Sequence, residues 1–128
     1  DLNNLAQLLQ ALSRLAEAEP LMRRALAIDE ASYGPEHPDV AIDLNNLAQL
    51  LQDLSHLAEA EPLMRRSVEI FLASSAGNGY VHPHLDVAAS GYLRLLEAAG
   101  DTPQEAAARL RELYARHGVN ADPAAGHA

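Results

Sequence analysis

DLNNLAQLLQ, residues 1–10, returns unchanged as residues 43–52, and SRLAEAEPLMRR (13–24) returns with one change as SHLAEAEPLMRR (55–66). Between residues 1–30 and 43–72, 23 of 30 positions are identical, at a period of 42 residues. Self-similarity at a period of about 20–50 residues marks architectures made by stacking one supersecondary unit on its copy. The duplication therefore fixes the frame in which the rest of the chain is read.

Within one copy, Leu2, Leu5, Ala6, Leu8, Leu9 and Leu12 recur at helical spacing with Asn and Gln between them. Ser13 and Arg14 interrupt this pattern, and Leu15, Ala18, Leu21, Met22, Ala25, Leu26 and Ile28 resume it. The reading is a helix over 1–12, a tight turn, and a longer helix from about 15 to 33 that Gly34-Pro35 stops. The second copy predicts helices at about 38–53 and 57–73, the first opened by Pro38 after the loop PEHP. Pro20 and its copy Pro62 sit about a turn into the second helix of each pair, where a helix that has just begun has little hydrogen bonding to lose.

Beyond the second copy, SSAGNGYVHP (74–83) reads as a longer loop. His82-Pro83 restarts the pattern as His37-Pro38 did, and aligning Leu95-Leu96 on Leu50-Leu51 shifts the register to 45 residues. A third, decayed unit follows: a helix at 83–99, a turn AGDT, and a helix at 103–117 opened by Thr102-Pro103-Gln104-Glu105 as N-cap and capping box. The expected organisation is all-α, an α-solenoid of antiparallel helix pairs. Repeat one (1–34) is truncated at its front, repeat two and its loop cover 35–81, a divergent third unit or cap covers 82–118, and a frayed tail covers 119–128.

Composition agrees. Hydrophobic residues make up 48% and aromatics only 4%, a Leu/Ala-rich mixture that suits close-packed helices better than sheets. The net charge of −9 opposes nucleic-acid binding and attraction to anionic membranes, both of which need a basic surface. There is no cysteine, no apolar run of membrane-spanning length and no visible leader, so a cytoplasmic placement is expected. No phosphate-binding glycine loop, GxSxG or HExxH is present, and neither catalysis nor a cofactor is expected.

LNNLA, EAEPLxRRAL and GPEHPDVA in this arrangement resemble tetratricopeptide repeats, specifically the 42-residue kinesin-light-chain-like and nephrocystin-like variant common in bacterial proteins. The resemblance covers roughly residues 1–117. It implies that small residues of the first helix face small residues of the second. It also implies that the first helix of each pair lines a concave groove that takes a protein or peptide segment. In the third unit Leu93 and Tyr92 stand where Ala48 and Leu47 stand, so that pair is expected to be splayed or shifted.

On the groove helices, Asn3, Gln7 and Gln10 share one face, as do Asn45, Gln49 and Gln52, with Asn4 and Asn46 beside them. The resemblance implies a ligand-binding role for Asn4 and Asn46. Side-chain amides donate and accept together, which suits the backbone of an extended peptide. Arg94 is the one cation expected in the groove. Arg23-Arg24 and Arg65-Arg66 fall on the second helices, where surface ion pairs with Glu19, Asp29, Glu61 or Glu69 account for them better than an acidic ligand. His82 and His84 lack further ligands at metal-binding spacing, so no metal is expected. Self-association through an exposed repeat face, giving a homodimer, is the second functional expectation.

Overall fold

The computed structural model describes the backbone of residues 2–76 and 81–119 and the side chains of residues 11–75 and 81–119. The middle of the expected 74–83 loop and the expected tail after Val119 lie outside the described residues. Five helices follow in order: α1 (Leu2–Tyr33), α2 (Pro38–Asp53), α3 (Leu57–Ala76), α4 (Leu85–Ala98) and α5 (Pro103–Arg116). No strand occurs among the described residues. The protein is an all-α solenoid of helix pairs, each packed on the next.

Turn chemistry sets the helix ends. After α4, Gly100 (φ +116°) takes the left-handed position: its N–H reaches Glu97 O at 3.1 Å while Asp101 N–H reaches Leu96 O at 3.0 Å. That pair of bonds is a Schellman motif, which satisfies carbonyls the helix end leaves open. The α2–α3 turn is built identically, with Ser55 N–H to Gln52 O at 2.9 Å and His56 N–H to Leu51 O at 2.7 Å. There, however, the left-handed residue is Ser55 (φ +66°), which carries a Cβ that glycine would not. Thr102 closes the expected capping box with Glu105 in both directions, at 3.1 and 2.9 Å.

The core lies mainly between α2 and α3. Leu44, Leu47, Ala48 and Leu51 are fully buried against Ala60, Met64, Val68 and Phe71. Ser67 Oγ donates to Ala41 O at 2.7 Å, a buried bond that fixes the antiparallel register and places Ala48 opposite Ala60. The two small residues let the backbones approach. From α4, Gly91 meets the tip of Met64, and Tyr92 buries its ring and donates from its hydroxyl to Glu61 at 3.0 Å. Burial first, and then the Glu61 charge, push that hydroxyl up to about 12. In α5 only Ala106, Leu110 and Leu113 are buried, in keeping with a divergent terminal unit.

The first unit departs from expectation. Ser13 and Arg14 do not form a turn: α1 runs unbroken through them from Leu2 to Tyr33. The second unit turns at Asp53-Leu54-Ser55-His56, whereas the same four places in the first hold Ala11, Leu12, Ser13 and Arg14. Alanine and arginine favour the helix more than aspartate and histidine do. A turn there would also need Ser13 in the left-handed conformation that Ser55 adopts, at a cost of about 1–2 kcal/mol. Pro20 consequently lies deep inside α1, although the Ala16 carbonyl thereby loses its helical donor.

Candidate functional site

The amide row on α2 is brought together as its spacing predicts. Gln49 Nε2 lies 3.5 Å from Asn45 Oδ1, one turn away on the same face. Asn45 Oδ1 also borders Gly91 of α4, so this asparagine sits where α2 and α4 meet. Gln52 is half-buried one turn further on, and Arg94 of α4 is exposed. Asn3, Asn4, Gln7 and Gln10 lie on the first ten residues, whose side chains are outside the described ones. Their backbone belongs to the first half of α1.

Asn46 and Gln49 rim a cleft of about 200 Å³ between α1 and α2. Leu15 and Met22 of α1 and Leu50 of α2 give it an apolar lining, and Asp53 stands at its edge. The arrangement offers donors and acceptors beside an apolar recess, which is the pairing a protein segment needs to be both held and oriented. Sequence alone could not find this cleft, because its lining comes from two helices that meet only in the folded chain.

A second feature went unread in the sequence. Asp43 of α2 faces α1, and its Oδ2 is buried with no hydrogen-bond partner among the described residues. Burial, then the adjacent Asp29 carboxyl and the charge of Asp39, push Asp43 up to about 7. A carboxyl that holds its proton can donate to Asp29, whereas two carboxylates would repel. Asp43 therefore sits as a titratable group beside Asp29 in the α1–α2 seam.

Arg23 and Arg65 form ion pairs of the expected kind, and Arg23 and Arg66 also form pairs that the spacing did not suggest. Arg23 binds Glu19 at 3.0 Å and reaches across to Glu59 of α3. Arg66 reaches back to Glu30 at 3.3 Å and to Pro35 O at 3.1 Å. Arg65 contacts Glu61 and Glu69 on its own helix, at 3.5 and 3.8 Å. Both cross-helix pairs span 36 residues and tie the second helix of one unit to that of the next.

The histidines are structural in the same way twice. His37 Nδ1 accepts from Asp39 N–H at 3.0 Å as the N-cap of α2, and His82 Nδ1 accepts from His84 N–H at 3.1 Å. His82 also packs its ring at a tilt against Phe71, with ring centroids 4.7 Å apart. Burial and the neighbouring His84 lower its pKa, which keeps Nδ1 free to accept. Among the described residues, no group of three or more His, Cys, Asp or Glu side chains is placed to hold a metal ion. No helix of the described residues is long and apolar enough to cross a membrane.

A family model described as Tetratricopeptide repeat matches residues 2–73, more than half of the chain. No curated protein matches the chain. The matched span covers both copies of the duplicated stretch, including the α2–α3 hairpin with its opposed alanines and the amide row on α2. The chain belongs to the tetratricopeptide repeat family.

Proposed function

We propose that the chain is a protein-interaction scaffold whose α1–α2 cleft and α2 amide row take a segment of another polypeptide. The family is generally a non-enzymatic interaction module, and the reading rests on one observation: Asn46 and Gln49 stand at the rim of an apolar recess lined by Leu15, Met22 and Leu50. A segment laid there would exchange backbone hydrogen bonds with the amides and bury an apolar side chain. Arg94 extends the same face with one positive charge. Charge favours a protein ligand over nucleic acid or an anionic membrane, since the chain carries −9. The 42-residue period with GPEHPDVA supports the kinesin-light-chain-like and nephrocystin-like subtype.

The test is a screen of an immobilised peptide library, repeated with Asn46→Ala combined with Gln49→Ala. Both side chains are off the core, so helicity should be unchanged while capture weakens at least about tenfold. Capture that is unaffected by the double substitution would refute the site.

Self-association is the second reading. It is favoured by the exposure of Leu21 (68%) and Ile28 (54%) on α1, whose copies in α3 are half-buried Leu63 and fully buried Ile70. Large apolar side chains left bare along one helix mark a surface that takes a partner.

A further inference from the structure

The two copies of the repeat supply their own control. In the second unit the helix bearing DLNNLAQLLQ (43–52) lies against α3, and Ala60, Met64 and Ser67 are fully buried. In the first unit the equivalent residues are Ala18, Met22 and Ala25, of which the first two are only half-buried and the third is exposed. The seat is the same, yet it is covered only in part, with Met22 packed on the core and bordering the α1–α2 cleft. The segment whose sequence matches its occupant is residues 1–10, of which 2–10 continue as the first turns of α1. Ala6 and Ala18 are separated by about 18 Å along the helix axis, whereas their copies Ala48 and Ala60 lie opposite each other.

We infer that residues 2–12 of one copy of this chain occupy the half-open seat on residues 15–26 of a second copy, and reciprocally, to form a domain-swapped homodimer. This rests on the reading of the α1–α2 cleft as a binding site and names its occupant. The swap exchanges an identical element, so each interface formed is one the sequence already encodes in its second unit. The hinge explains the choice. Closing the first unit on itself would require Ser13 in the left-handed conformation and would interrupt a run in which Ala11 and Arg14 favour the helix. Exchange between copies fills both seats without that turn. The cleft rimmed by Asn46 and Gln49 then takes the DLNNLAQLLQ helix of the other copy.

The chain has no cysteine, so thiols can be placed without interference. The full chain carrying Ala6→Cys and Ala18→Cys is oxidised mildly beside a control carrying Ala48→Cys and Ala60→Cys, and light scattering gives the mass of each across concentration. The expected result is a dimer whose first thiol pair locks two chains together, while the control pair closes within one chain. Circular dichroism checks that both variants remain helical. A second variant, Ala11→Asp with Arg14→His, gives the first unit the hinge residues of the second and should weaken the dimer about tenfold or more. A dimer whose first pair closes within one chain, or not at all while the control closes, overturns the swap and leaves self-association through another face. A monomer at every concentration overturns both, and peptide capture by that monomer would leave the groove reading in place.

Discussion

Replacing Asp43 with Asn should stabilise the protein above neutral pH and have little effect in mild acid. The native carboxyl is pushed up to about 7, by burial and then by Asp29 and Asp39, from an ordinary 3.8. A group whose folded pKa is raised binds its proton more tightly in the native state. Its stabilising contribution is complete below the unfolded pKa and falls as pH rises toward the folded one. Between pH 5 and pH 7 the native chain holds a proton that the unfolded chain has released, and each pH unit is worth about 1.36 kcal/mol. Two units set a ceiling of about 2.7 kcal/mol. Asp43 is only partly buried, so solvent screening reduces this to about 1 kcal/mol. Asparagine has nothing to ionise and can donate to Asp29 at any pH. Urea denaturation of both chains, followed by circular dichroism at pH 5 and pH 8, reads the effect as a difference of differences. The variant should gain about 1 kcal/mol on wild type in going from pH 5 to pH 8. His82, whose depressed pKa acts with the opposite sign as pH falls below its ordinary value, is common to both chains and cancels. An equal stability difference at the two pH values would show that Asp43 does not titrate in the seam.

Two further outcomes follow from the turns and caps. Ser55→Gly removes the Cβ from the left-handed position of the α2–α3 turn and should stabilise by about 0.5–1 kcal/mol after the greater unfolded-state entropy of glycine, measured as a rise in the denaturation midpoint; a fall would mean that the serine side chain itself holds the hinge. Thr102→Ala removes the hydroxyl that accepts from Glu105 N–H while keeping the backbone N–H that donates to the Glu105 carboxylate, and should cost about 1 kcal/mol, with hydrogen exchange quickening first at the start of α5; unchanged protection there would remove the cap from the account of the third unit.

The sequence by itself determined the repeat frame, the all-α class, α2 to the residue at both ends, the capping box at Thr102 and the surface ion pairs of Arg23 and Arg65. These are local properties: periodicity, caps and i,i+4 spacing act within a turn or two of the chain, so residues near one another in sequence suffice to specify them. The first unit is different. Leu12-Ser13 and Leu54-Ser55 are the same dipeptide, yet one continues a helix and the other turns it back. The turn at Ser55 has a local cost, and the burial of Leu47, Ala48 and Leu51 against Ala60, Met64 and Phe71 offsets it. Ala11 and Arg14 were a legible sign of the opposite balance, read too lightly beside 23 identities in 30 positions. The cleft at Asn46 and Gln49, the Asp29–Asp43 contact and the cross-helix pairs of Arg23 and Arg66 were settled only by the tertiary structure. Each joins residues from separate helices, and their meeting depends on how those helices pack.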